Sequence, residues 1–289
     1  MVQGLVSAAP AAHGVDHYEN FPVASWLCPA HLRPAIAAIY WFARTADDLA
    51  DEGDASAASR LHSLACYQSD LHACAARQAH SGQWPQVFDP LGQVIHQFKL
   101  PVPLLVQLLD AFEQDVRFTA DQRRYSTDAE LHDYCSRSAN PVGRLLLHLY
   151  GIQDAALLAQ SDDVCTALQL INFWQDVSVD VARARWYPSV DAMQRHGVTD
   201  ADLQPASASP NATSLIAYYA SAARARMLKG ASLACQVPGR AGWELRLVVQ
   251  GGLRILDKVE AMGFATWRGR PTLNAWDVPV LVWRAIWMS

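Results

Sequence analysis

The stretch Gln169-Leu170-Ile171-Asn172-Phe173-Trp174-Gln175-Asp176-Val177-Ser178-Val179-Asp180 decides how this chain is read, and Arg44-Thr45-Ala46-Asp47-Asp48-Leu49-Ala50-Asp51 is its counterpart. Each carries two Asp residues four positions apart. On an α-helix that spacing stacks the pair on one face, one turn above the other. Like charges so placed repel, so the pattern weakens the helix unless cations occupy it. Asn172 extends the second stripe to N-x-x-x-D-x-x-x-D. A lone D-x-x-x-D is ordinarily a solvated helix face. Here both pairs follow apolar runs, Ile39-Tyr40-Trp41-Phe42 and Leu170-Ile171 with Phe173-Trp174, where unpaired carboxylates are costly. Together they read as two walls of a site for divalent metals and a polyanion. Oxygen ligands of this kind suit magnesium, which shares its shell with phosphate oxygens and water. Arg44, three before Asp47, and Arg185, five after Asp180, supply guanidinium groups that clamp phosphate.

The rest of the chain is consistent with helices around such a site. Its 289 residues are 51% hydrophobic and only 18% charged, a globular balance with ample core. The net charge of −5 and the absence of a basic run exclude a nucleic-acid footprint. Apolar residues recur at three and four, which predicts helices over Leu32–Asp51, Ser56–His80, Trp84–Phe98, Leu104–Phe118, Asp162–Asp180, Thr213–Cys235 and Arg240–Gly263. Another runs from Ser126 to Tyr150, interrupted at Asn140-Pro141-Val142-Gly143, where proline removes a backbone donor. Gln204–Asn211 reads as a loop, and the fold of the tail from Trp267 is left open. No linker divides the chain, so 1–289 reads as one domain.

The six cysteines show no C-x-x-C pairing and read as reduced core thiols; six of the histidines, from His62 to His148, show no metal-ligand spacing. No signal peptide and no membrane span are expected, which points to a cytoplasmic enzyme. The apolar Val278–Trp287 segment is too short to span. It either packs on the core or touches a membrane as a peripheral contact.

The chemistry such a site performs is ionisation. Metals neutralise a diphosphate leaving group and favour breaking its bond to an allylic or cyclopropylcarbinyl carbon. The cation then needs a dry cavity with aromatic faces, and Tyr40, Trp41, Phe42, Tyr134, Phe173 and Trp174 are available to line it.

With D-D-x-x-D at Asp47-Asp48-Asp51, Q-L-x-N-x-x-x-D-x-x-x-D from Gln169 to Asp180, and Arg185 with Tyr187 downstream, the chain resembles the squalene/phytoene synthase family from about His17 to Val259. The resemblance implies an all-α, class I isoprenoid synthase fold with a central active-site cavity. It implies that Asp47, Asp51, Asn172, Asp176 and Asp180 hold Mg2+, and that His17, Tyr40, Arg44, Gln169, Arg185 and Tyr187 contact substrate or diphosphate. Tyr134 is implied to face the cation. Asp48 points about 100° away from Asp47 and is left out of this ligand set.

Three stretches, His17–Ser25, Ser138–Arg144 and Asn172–Asp176, are similar to the hydroxysqualene synthases of bacterial hopanoid formation. That implies presqualene diphosphate and water as substrates, and other hopanoid enzymes as possible neighbours. Head-to-head condensation of prenyl diphosphates stays open as an alternative, as does a non-catalytic prenyl-lipid binding subunit. Three positions depart from commoner members: Gln175, where Arg is frequent; Gly252, where Tyr is frequent; and Asn140, in a usually Gly-rich stretch. Asn140 is offered as the residue that positions the quenching water, alongside a plain role in satisfying the backbone freed by Pro141.

Overall fold

Helix α1 (Arg33–Asp51) buries Ala35, Ile36, Ile39, Phe42, Ala46 and Ala50, a stripe at helical spacing, while Tyr40, Arg44, Asp47 and Asp48 flank it half-buried. The structure, a computed structural model, describes residues 28–288. Among them there is no β-strand; the rest is helix, turn and loop. Around α1 pack α2 (Ala57–Ala75), α3 (Pro85–Phe98), α4 (Val102–Ala120) and α6 (Asn140–Leu149), which share one core with Phe42, Leu64, Tyr67 and Phe88 at its centre. A second core joins α5 (Asp128–Ser138), α7 (Ala155–Gln175), α9 (Val190–His196), α10 (Pro210–Gly230) and α12 (Gly239–Ala261). The α7–α10 contact is the most extensive helix pair of the fold. Short α8 (Val177–Ala182) and α11 (Leu233–Gln236) and the C-terminal α13 (Val278–Ile286) complete the order.

The two cores meet where α6 crosses α7. Gly143 allows the approach: a Cβ there would come within 2.4 Å of Ser161 Oγ and 2.5 Å of Cys165 Sγ. Gly252 does the same between α12 and α7, where a Cβ would meet Met227 Cε at 2.9 Å and Ile171 Cδ1 at 3.2 Å. A tyrosine at 252 therefore has no room in this packing.

Several boundaries differ from the sequence expectation. The second helix stops at Ala75, not His80, because Arg77 turns left-handed (φ 57°) and Asp70 captures Ser81 through both its N–H and its hydroxyl, at 2.7 and 2.6 Å. Helix α7 starts at Ala155 rather than Asp162, capped by Asp154, whose carboxylate accepts from the N–H groups of Ala156 and Leu157. It is interrupted at Asp176, yet Asp176 N–H still donates to the Asn172 carbonyl and Asp180 N–H to the Asp176 carbonyl, both at 2.9 Å. The Asn172–Asp176–Asp180 stripe thus survives the change of element. Thr213–Cys235 divides into α10, capped by Ser209, and α11.

The tail folds as a 3₁₀ turn (Ala275–Asp277) and α13, docked on α12. Asp277, 2% exposed, accepts from Arg254 Nε at 2.8 Å and lies 2.6 Å from Lys258 Nζ, which holds its carboxyl far below the usual range. Ala285 of α13 is buried, whereas Trp276, Trp283 and Trp287 stay largely exposed. All six thiols are free, with Cys28, Cys74 and Cys135 in the core. No helix among the described residues is long and apolar enough to cross a membrane.

Candidate active site

Both acidic motifs lie at helix C-termini. Asp47 and Asp51 occupy the last two turns of α1, and Asp176 and Asp180 stand at the end of α7 and in α8. A helix C-terminus carries partial negative charge, so Asp47 and Asp51 are added where the backbone already repels them, whereas Asp180 lies in the first turn of α8. The two ends meet: Arg185 Nη2 donates to Asp51 Oδ1 at 2.6 Å, joining residues 134 positions apart. The turn that sends Arg185 back toward α1 runs through Ala184, which adopts φ 57°; Arg185 N–H closes it on the Asp180 carbonyl at 2.9 Å. A left-handed non-glycine residue costs about 1–2 kcal/mol, so the surrounding contacts hold the turn in place.

Crowding shows in the titration of the acids. Burial, then the neighbouring Asp51 charge, pushes the Asp47 carboxyl up to about 6, although 39% of its side chain stays accessible. Burial, then the Asp176 charge, pushes Asp180 up to about 7. Such a set calls for cations. Guanidinium groups answer in part: Arg44 lies 3.3 Å from Asp47 Oδ2, 2.7 Å from Asp48 Oδ1 and 2.9 Å from Glu52 Oε1. Asp48 is thereby turned along α1 toward Arg44 and Glu52.

Asp176 is met by a residue that the sequence did not single out. Arg270 Nε donates to its Oδ1, and Arg270 Nη2 lies 3.4 Å from Oδ2. Next to it Gln175, 6% exposed, donates its amide to the Pro271 carbonyl at 2.7 Å.

Asp115 of α4 was also missed. It accepts from the Tyr134 hydroxyl at 2.6 Å and lines one small cleft with Tyr125, Arg185 and Tyr187. Burial raises its carboxyl to about 7. The sequence offers no signal for it beyond its being one of three acids, with Asp110 and Glu113, within Leu104–Phe118.

The remaining candidates fall as follows. Gln169, Asn172, Asp176 and Asp180 form a half-buried stripe on a helix otherwise enclosed by Leu170, Ile171, Phe173 and Trp174. Tyr187 stacks on Phe173 with centroids 3.7 Å apart, and Tyr134 tilts against Phe173. Tyr40 is half-buried, edge-on to Trp41. His17 lies outside the described residues. Asn140 is held by Thr166, whose hydroxyl donates to its Oδ1 at 2.8 Å, and not by the backbone around Pro141.

Three of the aromatics expected to line a cavity do other work. Trp41 is half exposed on the outer side of α1, Phe42 packs with Tyr67 and Phe88 in the first core, and Trp174 is fully buried against Tyr219 at 3.9 Å. Aromatic side chains carry so much apolar area that sequence position alone does not separate lining from core.

An apolar cavity runs between α1, α6, α7 and α12, with Ile36, Leu146, Leu168, Val237, Leu245 and Val248 on its walls. Ile36 precedes Asp47 by eleven residues, about 16 Å along the helix, and Leu168 precedes Asp176 by eight, about 12 Å. The same two helices therefore carry the acids at one end and the apolar cavity toward the other.

Among the described residues no three His, Cys, Asp or Glu side chains close into a complete metal cage. The donors come as two carboxylate pairs with Asn172. That set suits a hard divalent cation whose shell is completed by phosphate oxygens and water.

An all-α bundle with two acidic helix ends beside an apolar cavity has the architecture of an isoprenoid synthase. A profile of the squalene/phytoene synthase family matches residues 15–277, and the chain belongs to that family. Hydroxysqualene synthase of Zymomonas mobilis is 36% identical over 200 residues, covering 68% of this chain and 64% of that protein. Hydroxysqualene synthase of Sinorhizobium fredii is 30% identical over 256 residues, covering 88% and 82%. Among solved structures, squalene synthase HpnC from Alicyclobacillus acidocaldarius superposes with a TM-score of 0.77 at 34% identity, covering 86% of this chain and 90% of that one. A dehydrosqualene synthase at 20% identity shares the fold, with a TM-score of 0.78 over 90% and 88%.

Proposed function

We propose that this protein is a hydroxysqualene synthase: it ionises presqualene diphosphate, and water captures the rearranged cation to give hydroxysqualene and diphosphate. The observation that carries the reading is the Arg185–Asp51 contact, which gathers both acidic motifs at one end of the helices that also line an apolar cavity. The names of the relatives at 30–36% identity support the particular reaction.

In this reading Asp47, Asp51, Asn172, Asp176 and Asp180 hold Mg2+. When bound, magnesium supplies charge neutralisation for the departing diphosphate. Arg44 and Arg185 orient the diphosphate, helped by Tyr40, Gln169 and Tyr187, with His17 as a further contact. Tyr134 gives its proton to a hydrogen bond with Asp115, which enriches the phenol oxygen and ring in electron density toward a nearby cation. Phe173 and Tyr187 present stacked faces beside it and exclude water. Asn140, fixed by Thr166 through its oxygen, keeps its amide nitrogen as a donor to orient the capturing water. Exposed Trp276, Trp283 and Trp287 suit a peripheral contact with the membrane into which the apolar product partitions.

A second reading, head-to-head condensation, is favoured by a presqualene diphosphate synthase of Rhodopseudomonas palustris, 28% identical over 96% of this chain. One experiment separates them. Purified protein with Mg2+ and no NADPH receives presqualene diphosphate or farnesyl diphosphate, and products are identified by mass spectrometry. Hydroxysqualene from presqualene diphosphate is expected. Presqualene diphosphate or a longer hydrocarbon from farnesyl diphosphate alone would overturn the first reading in favour of the second.

A further inference from the structure

Residues 262–274 leave α12 without regular helix; backbone hydrogen bonds close turns as far as Arg268, and side-chain contacts fix the rest of this strap. Its first half is tied to the loop that precedes α10: Trp267 is buried and donates Nε1 to the Ser207 carbonyl at 3.2 Å, and Arg268 donates to the same oxygen at 2.8 and 2.6 Å. Its far end is held by Lys258 Nζ on the Thr272 carbonyl at 2.8 Å. Between these ties the strap crosses the end of α7, where Gln175 takes the Pro271 carbonyl and Arg270 reaches Asp176.

We propose that Gln175 is a positioning residue whose amide fixes the strap at Pro271, and that it thereby aims the Arg270 guanidinium at the diphosphate subsite. The proposal rests on the diphosphate-binding reading above. A buried primary amide is the side chain that this contact requires. It donates to a carbonyl without adding charge, and it leaves Asp176 as the acceptor for Arg270. Arg270 balances the Asp176 charge. Cations arriving at Asp176 compete with that pair. Because Gln175 still holds the backbone one residue away, the displaced guanidinium stays over the site, within reach of the anion. A cationic group thus enters from the strap at a place where the helix itself carries a neutral residue.

The test uses the full-length protein, with titration calorimetry of Mg2+ alone and of inorganic diphosphate with Mg2+, and thermal melts as control. Gln175→Met keeps the volume and removes the donor. It should weaken diphosphate binding about tenfold, as loss of one charge-assisted contact does, with little change in melting temperature. Arg270→Ala should do the same and should tighten Mg2+ binding in the absence of diphosphate, since it removes the competitor for Asp176. The double variant should be no weaker than Arg270→Ala alone, the mark of residues acting through one another. Gln175→Arg in the Arg270→Ala background should recover diphosphate affinity.

Additive losses in the double variant, or unchanged affinity in Gln175→Met, would overturn the positioning role while leaving the parent reading intact. Absence of Mg2+-dependent diphosphate binding by the unmodified protein would overturn both.

Discussion

Arg185 binds Asp51 across the gap between the two acidic helix ends, with Nη2 2.6 Å from Oδ1. This pair joins the first motif to the turn that follows the second, so neither helix end is positioned independently of the other. Arg185→Gln should therefore weaken diphosphate binding and should also raise the mutual repulsion of Asp47, Asp51 and Asp180. The first effect is measured as a rise in KM, and the second as a lower melting temperature of the metal-free protein.

Removing a carboxylate should separate stability from activity. Asp47→Asn takes one charge out of a set already crowded at a helix C-terminus, so melting temperature should hold or rise. Turnover should fall by about 10²-fold or more, the scale of losing one preorganised electrostatic contact. Steady-state kinetics with scanning calorimetry checks both halves.

The raised carboxyls fix the sign of a pH effect. Asp47 at about 6 and Asp180 at about 7 bind protons more tightly folded than unfolded. Their contribution to the stability of the metal-free protein is complete below the ordinary carboxylate range and is lost as pH rises through about 6 to 7. Melts in EDTA from pH 5 to 8 should show this loss. The curve for Asp180→Asn should be flatter, and the difference between the two isolates Asp180 from histidines titrating in the same window.

The C-terminal docking depends on one buried charge. Asp277→Asn removes the charge that pairs with the partly exposed Arg254 and Lys258, and it should cost about 2 kcal/mol. Chemical denaturation gives the loss, and limited proteolysis should cut first between α12 and α13.

Asn140 and Thr166 predict product partition. Asn140→Ala should shift products away from hydroxysqualene more than it slows substrate loss. Thr166→Val, which removes only the donor to Asn140 Oδ1, should shift them in the same direction by less. Product ratios from presqualene diphosphate are the readout; unchanged ratios in both variants would remove Asn140 from water capture.

The helical stripes were legible in the sequence because their signal is local: four-residue spacing, capping residues and apolar periodicity all act within a turn or two. Asn172, Asp176 and Asp180 keep their common face even though the helix is interrupted between them. What was not legible depends on contacts distant along the chain. Arg270 reaches Asp176 from 94 residues away, through a strap with no pattern of its own. Asp115 is one of three acids in α4, and nothing in the sequence sets it apart from Asp110 and Glu113 until α5 brings Tyr134 against it. The aromatics failed for another reason. Trp41, Phe42 and Trp174 share one residue class but face solvent, the first core and the second core respectively, and composition does not encode which neighbour a face meets.

The helix ends that converge here also set an order of arrival. With every group ionised, the carboxylates of Asp47, Asp48, Asp51, Asp176 and Asp180 outnumber the guanidiniums of Arg44, Arg185 and Arg270 beside them. A bare polyanion approaching this mouth is turned away, whereas a cation, or an anion already escorted by its cations, is drawn in. Substrate saturation should therefore track the concentration of the metal–diphosphate complex, and free diphosphate ester in excess of metal should act as a poor ligand.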